Sequence, residues 1–234
     1  EEYENYSDNA EIGPVALQFV TRPMLTKESP ISDYWKNELL NLNQGDVKTN
    51  HFSPTGFYSS AINNEFLQSL YDRLTREIPY KVIADELYNT EIVCGKTNKH
   101  YFIQEKEKGN VEKWLKAGYT EALRTPDNTI VFVSRETEEE IHKDMKECIG
   151  CLSCCHFSSW SQYFPEQGYS CGTTPDPRTF CIQKALQNAK KGIFNNKALL
   201  FAGSNAYRFA KDPFYKNGFI PTIKELIDRI LTGK

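Results

Sequence analysis

The chain has few segments that can form β-strands, and this shortage limits the folds open to it. Residues 15–20 (VALQFV) form a short apolar run typical of a buried strand, and Pro23 soon afterwards prevents further ladder pairing. A second strand is predicted over residues 129–134 (TIVFVS). Because the backbone groups of a buried strand need partners, we expect residues 15–20 to pair with segments outside this chain.

Helical patterns occupy much of the remaining sequence. Thr222 and Glu225 form a capping-box signature at the start of the last helix, and Ser32 is a good N-cap for an earlier one. A hairpin is predicted around GKTNK, between residues 91–94 and 101–103. The predicted helices cover residues 31–42, the second half of 53–70, 111–123, the charged segment that ends near residue 145, 178–190, and the segment after Thr222.

Composition excludes several classes of protein. The 234 residues are 39% hydrophobic and carry a net charge of −3, with both signs mixed, so no nucleic-acid-binding basic face is expected. No apolar run approaches the roughly 18–20 residues needed to span a bilayer. The acidic start EEYENYSDNAEIGP lacks an initiator Met and a leader pattern, so we expect a processed or truncated N-terminus. Seven cysteines, an odd number, favour a reducing compartment, either the cytoplasm or an organelle matrix.

Several longer segments resemble one flavoprotein family. They resemble the FMN-dependent nitronate monooxygenases, once called 2-nitropropane dioxygenases, in a branch with a long C-terminal region. The segments are ALQFVTRPMLTKESPIS (16–32), NHFSPTGFYSSAINNEFL (50–67), GYTEALRTPDNTIVFV (118–133), CIGCLSCCHFSSW (148–160), PDPRTFCIQKALQ (175–187) and FAGSNAYRFAKDPFYKNGFIPTIKELIDRILTG (201–233).

The resemblance implies an α/β fold. The chain would be the C-terminal portion of a TIM-type (β/α)8 flavin barrel with a mainly helical, Cys-rich extension. Residues 1–75 would hold the last strand and helices of the barrel, residues 76–147 an inserted α+β excursion, and residues 148–234 the Cys-rich loop and C-terminal helices. The N-terminal half of the barrel would then be a partner, either as a separate chain or within a multi-subunit assembly.

The same resemblance implies an FMN site but no catalytic residue. The segment at Gln18, Phe19, Val20 and Thr21 matches the phosphate-binding loop after the eighth strand, where the family usually has Gly-Thr instead of Val20-Thr21. The loop SPTGFYSS matches a segment that faces the flavin, so its side chains are candidates for contact with flavin or substrate. The candidates in that loop are Tyr58 and Ser59, whereas His51, His100, His142 and His156 match no catalytic motif, and no base is assigned.

Six of the seven cysteines lie within 34 residues. Closely spaced thiolates in a loop suit a soft metal centre, either a [4Fe–4S] cluster or structural zinc, and a metal-free set of thiols is the third alternative. The C-x2-C-x3-C spacing resembles the four-iron cluster loop of dienoyl-CoA-reductase-like flavin barrels. The predicted ligands are Cys148, Cys151, Cys155 and Cys181; Cys171 is the alternative fourth ligand, Cys154 is a spare, and Cys94 is a core residue.

Three functions follow from these observations. The first is part of an FMN-dependent oxidoreductase that oxidises nitronate-like small molecules or uses NAD(P)H to reduce an acceptor. The second is a catalytically degenerate flavin-barrel subunit with a structural or metal-binding role, which Val20 in the phosphate loop favours. The third is an independent cysteine–metal domain without a barrel.

Overall fold

The computed structural model describes residues 19–54, 57–146, 176–192 and 195–233. The chain divides into two compact units, of which one combines Glu1–Gln44 with Asn205–Lys234 and the other comprises Gly45–Ser204. The first is called the terminal unit below and the second the central unit.

Short helices and short strands follow one another along the described residues. The helices are α1 (Thr21–Met24), α2 (Asp33–Leu40), α3 (Glu65–Leu74), α4 (Lys108–Lys116), α5 (Arg135–Lys146), α6 (Ile182–Lys190) and α7 (Ile223–Thr232), with 3-10 turns at Glu105–Glu107, Ala206–Lys211 and Pro213–Gly218. The strands are β1 (Val47–Asn50), β2 (Ser59–Ile62), β3 (Glu77–Pro79), β4 (Thr90–Cys94), β5 (Lys99–Ile103), β6 (Glu121–Arg124) and β7 (Thr129–Val133).

The terminal unit brings together two segments that are distant in sequence. The Arg22 guanidinium lies 3.0 Å from the Asp212 carboxylate and 5.2 Å from the centre of the Phe209 ring. Helices α2 and α7 begin where the sequence predicts: the Ser32 hydroxyl accepts the backbone N–H of Trp35, and Thr222 forms a reciprocal capping box at the start of α7. The side chains buried in this unit are Leu25, Trp35, Leu39, Leu42, Ala206, Phe209, Tyr215 and Leu226.

The central unit is built on an antiparallel sheet with the strand order β3-β7-β6. Alternate residues of β7 point to opposite faces. Ile130 and Phe132 belong to the cluster on one face, which also contains side chains of the β4–β5 hairpin and of α4. Val131 and Val133 belong to the other cluster, with Ile141 of α5. Burial on both faces explains why this strand is an unbroken apolar run.

Two further pairs of strands complete the central unit. The β4–β5 hairpin pairs Ile92 with Tyr101, which confirms the hairpin predicted around GKTNK. The β1–β2 pair is antiparallel, with Asn50 opposite Ser59 at its loop end. Because both strands of this pair are mostly polar, the hydrophobic pattern of the sequence does not reveal it.

The prediction of a TIM-type barrel portion is wrong. A barrel of this type needs parallel strands joined by helical crossovers. In the described part of the chain, every sheet has two or three strands, all pairs are antiparallel, and no sheet closes. The connection of residues 125–128 is far too short for a crossover, so β6 and β7 pair as a hairpin. The predicted helix over residues 111–123 also ends early, at Lys116, since Gly118 takes a φ of +94° and β6 follows.

The N-terminal strand predicted at residues 15–20 is also wrong for its last two residues, which are the part of it that the structure describes. Phe19 and Val20 lie outside any strand, and the helix α1 begins at Thr21. Residues 15–18 lie outside the described ranges.

Arg178 connects three separate segments of the central unit. Its guanidinium lies 2.7 Å from the Asp176 carboxylate, 2.7 Å from Glu77 on β3, and 3.0 Å from Asp127 in the β6–β7 turn. The hydrogen bonds and charge of Asp176, followed by those of Asp127 and Glu77, raise the pKa of Arg178 against the effect of its burial. The segment that leads into α6 is therefore fixed to the sheet by charge-assisted hydrogen bonds.

We predict that Arg178→Gln lowers the free energy of unfolding by about 3 kcal/mol, because the largely buried carboxylates of Glu77 and Asp176 would lose their cation. Urea denaturation followed by circular dichroism measures the change. The matched control is Arg135→Gln, since Arg135 forms an exposed i,i+4 pair with Glu139 and should cost no more than about 0.5 kcal/mol. Equal effects of the two substitutions would show that the network contributes little.

At position 95, a residue other than glycine would be strained. Its φ is +76°, and a Cβ atom there would meet the carboxylate of the buried Glu121. We predict that Gly95→Ala lowers the free energy of unfolding by about 1–3 kcal/mol. Gly109→Ala is the control: Gly109 lies in α4 with open space around it, so the substitution should be neutral or stabilise by up to about 1 kcal/mol. The prediction is contradicted if thermal denaturation shows the same change in stability for Gly95→Ala and Gly109→Ala.

Candidate functional site

The loop between β1 and β2 holds a polar side chain that is buried but only half used. Asn50 is 3% exposed, and its Oδ1 accepts hydrogen bonds from the backbone N–H of Phe52 at 3.1 Å and from the Ser59 hydroxyl at 2.9 Å. Its Nδ2 has no hydrogen-bond partner among the residues that the structure describes. Two donors on Oδ1 fix the orientation of the amide, so the orphan group is the NH2 donor.

Aromatic side chains lie beside this amide in the sequence and on the surface. Tyr58 is 68% exposed and Phe57 is 76% exposed. The Tyr58 ring contacts the His51 ring, with 3.6 Å between their centres and 50° between their planes. The exposed aromatic rings offer stacking to a planar ligand, whereas the Nδ2 of Asn50 is an unsatisfied donor that is itself buried. We therefore take Asn50, His51, Phe57 and Tyr58 as the candidate site and call it the hairpin-loop site.

Tyr58 and Ser59 are the two residues of this loop that the sequence predicts to contact flavin or substrate, and they differ in whether a ligand can reach them. Tyr58 presents most of its ring to solvent and is open to a ligand. The Ser59 hydroxyl already donates to Asn50, so Ser59 orients the amide and is not a direct donor to a ligand. The structure thus gives Ser59 a positioning contact that the sequence does not indicate.

The predicted phosphate-loop residues lie in the terminal unit. Val20 is 65% exposed and takes the N-cap position of α1 without a side-chain cap, and Phe19 is also exposed. Thr21 is buried as the first residue of this four-residue helix. Gln18 lies outside the described residues. The structure therefore gives the local positions of three of these four residues.

Of the four predicted metal ligands, Cys181 is the one that lies within the described residues. The thiol of Cys181 caps the N-terminus of α6, where its Sγ accepts the backbone N–H of Lys184 at 3.3 Å. It also packs against the cluster of Leu123, Val131, Val133 and Ile141. The other cysteines of the cluster fall outside the described residues: Cys148, Cys151, Cys154, Cys155 and Cys171. Within the described part of the chain, no three His, Cys, Asp or Glu side chains form a group able to hold a metal ion.

Cys94 is confirmed as a core residue. It is buried among the side chains between the sheet and the β4–β5 hairpin. Burial, helped by the nearby Glu121 carboxylate, raises the pKa of the Cys94 thiol to about 11. The thiol therefore stays protonated at neutral pH, which suits packing and not nucleophilic or redox chemistry.

The described histidines each have a local partner. His100 lies 2.7 Å from Glu91 across the β4–β5 hairpin, and His142 lies 3.6 Å from Glu138 one turn earlier in α5. Both are exposed or half-exposed contacts between a histidine and a carboxylate, and neither needs a catalytic explanation. His51 differs, because its partner is the ring of Tyr58 at the hairpin-loop site.

Sequence reasoning missed Asn50 and gave His51 no role. The available signal was the pair Asn50-His51, which only Phe52 separates from SPTGFYSS, but an asparagine at a strand end is ordinary turn chemistry. Only the pairing of Asn50 with Ser59 across two strands shows that the amide is buried.

The described helices are too short or too polar to cross a bilayer. Comparison with protein-family models, with curated proteins and with solved structures gave no match for this chain.

Proposed function

We propose that this chain is part of an FMN-dependent oxidoreductase and that the hairpin-loop site contacts the flavin. The family resemblance of NHFSPTGFYSSAINNEFL supports the proposal at the level of sequence. The structural observation that supports it is the NH2 group of Asn50, which has no hydrogen-bond partner among the described residues. The proposal concerns this loop and does not need a barrel within the described residues.

The buried amide of Asn50 fits the chemistry of a flavin edge. A buried donor without an acceptor costs about 1–3 kcal/mol, so proteins rarely keep one without a reason. The ring system of FMN carries carbonyl oxygens and ring nitrogens that accept hydrogen bonds. A flavin edge would satisfy Nδ2 by displacing the groups that cover this buried atom, while Ser59 and the Phe52 N–H hold the amide in position.

The aromatic residues of the loop would shield the ring system. Tyr58 and Phe57 have exposed faces that can stack on a planar heterocycle and exclude water from it. When bound, FMN supplies the redox chemistry, such as oxidation of a nitronate-like carbanion or NAD(P)H-dependent reduction. The residues of this chain would bind and orient the cofactor, and we assign no proton transfer to them.

We predict that the full chain quenches FMN fluorescence saturably and that Asn50→Asp weakens binding at least about tenfold. Aspartate keeps the acceptor for Phe52 and Ser59 but replaces the orphan donor with a charged acceptor. Tyr58→Ala should reduce both the quenching and the affinity, because the stacking ring is lost. Fluorescence titration of the wild type and the variants measures each effect.

Asn195→Asp is the matched control for this titration. Its Oδ1 accepts the backbone N–H two residues later, at 2.9 Å, as Asn50 does with Phe52, but Asn195 is exposed. This variant should bind FMN like the wild type. The proposal is contradicted if the wild type shows no saturable quenching, or if the two aspartate variants bind equally well.

A metal-binding structural component is the second proposed function. Cys181 favours it, because a thiol at a helix N-terminus accepts a backbone N–H and faces a positive dipole, and both stabilise a thiolate ligand. With Cys148, Cys151 and Cys155 it would complete four thiolates for a [4Fe–4S] cluster or zinc. This centre is compatible with either the flavoenzyme or a catalytically inactive subunit.

We predict one metal centre per chain and its loss in Cys181→Ser. Elemental analysis with acid-labile sulfide separates the alternatives, since iron with sulfide indicates the cluster and zinc without sulfide indicates the structural ion. Cys94→Ala is the control and should keep its metal, because Cys94 is a core residue. Retention of metal in Cys181→Ser together with loss in Cys171→Ser would assign the fourth ligand to Cys171.

A further inference from the structure

The central unit contains a cavity that the hairpin-loop site does not share, although Cys181, the proposed metal ligand, is one of its lining residues. Its volume is about 600 Å³, within the range of small-molecule sites. Helices α3, α5 and α6 and the segment before α6 line it. Apolar side chains from separate elements form part of its wall, namely Phe66, Leu70, Ile141, Phe180 and Leu199.

Arg73 of α3 lines this cavity and is only partly hydrogen-bonded. Its Nη1 donates to the carbonyl of Pro177 at 2.7 Å. No second hydrogen bond and no ion pair to its guanidinium is found among the described residues. A guanidinium has five N–H donors, so several remain for a ligand.

The Arg73 guanidinium keeps its charge despite being withdrawn from water. Burial lowers the pKa of Arg73 to about 10, while the Glu140 carboxylate raises it and Arg76 lowers it further. The group is therefore a cation at neutral pH. A cation that has lost solvent without gaining an ion pair binds an anion more strongly than an exposed one does.

Several neighbouring polar groups of the cavity are already engaged, and the carboxylates of Glu65, Glu136 and Glu140 also line it. Lys184 forms an ion pair with Asp144 at 2.9 Å. The hydroxyls of Ser69 and Thr179 donate to nearby backbone carbonyls, at 2.7 and 2.9 Å. Arg73 is thus a cationic lining group with N–H donors to spare beside an apolar wall, and Lys143 and Lys197 are further cations of the lining.

We propose that this cavity binds a small carboxylate with an apolar body. The carboxylate would accept two N–H groups of Arg73 in the bidentate geometry that this pair favours. The apolar body would lie against Phe66, Leu70 and Phe180. This site does not depend on FMN, since its residues are separate from the hairpin-loop site.

Isothermal titration calorimetry of the full chain with 3-phenylpropionate tests the proposal. We expect saturable binding, and at least about tenfold weaker binding of 3-phenylpropionamide, which has the same body without the charge. Arg73→Gln should weaken binding of the carboxylate by a similar factor and leave binding of the amide unchanged. Arg73→Lys, which keeps the charge, should restore part of the affinity.

Arg135→Gln is the matched control, because Arg135 is an exposed arginine of the same unit and does not line the cavity. Should Arg73→Gln not fold, Glu140→Gln gives a second test. Removing the negative charge near Arg73 should strengthen binding of the carboxylate severalfold. The proposal is overturned by absence of saturable binding, by equal binding of carboxylate and amide, or by indifference to the Arg73 and Glu140 substitutions.

Discussion

The ion-pair network of Arg178 is the interaction on which the central unit depends. One guanidinium bonds to Asp176 close by in the sequence, to Glu77 on the edge strand β3, and to Asp127 in the β6–β7 turn. These bonds hold the start of α6 against the sheet. Phe180 then enters the core with Phe52, Leu67 and Leu70, while Cys181 packs against Val131 and Val133 of the sheet. Arg73 and the Phe52 carbonyl hold the same segment through its backbone, and Arg178 adds the ion pairs to the sheet.

The two candidate sites both consist of half-satisfied polar groups. Asn50 uses its carbonyl oxygen for the loop and leaves its NH2 group without a partner. Arg73 uses one N–H for Pro177 and keeps the rest. In each case, the bonds that are made orient the group and leave other donors unused; those of Arg73 belong to a residue that lines a cavity, and that of Asn50 is buried. Fully exposed groups such as Lys224 and Asp228 pair with each other and carry no such information.

The sequence predicted elements well where one local signal dominated. Ser32 and Thr222 start helices as expected, and β7 is the apolar strand that TIVFVS indicates. Prediction failed where the decisive partner is distant in the chain. The polar strands β1 and β2 have no hydrophobic alternation, and most of β6 falls within the helix that the sequence predicts over residues 111–123. The larger error, a barrel portion, came from a resemblance between segments and not from strand periodicity.

The sequence by itself determined local chemistry: the helix caps, the apolar strand, the cysteine spacing and the aromatic residues of the hairpin loop. Only the tertiary structure decided which of these groups are satisfied. Asn50 is unremarkable until Ser59 pairs with it across the β1–β2 ladder, and Arg73 is an ordinary helix residue until it is packed toward Pro177. The physical reason is that burial and hydrogen-bond satisfaction depend on neighbours far away in the sequence, whereas caps and strand periodicity depend on residues within a few positions.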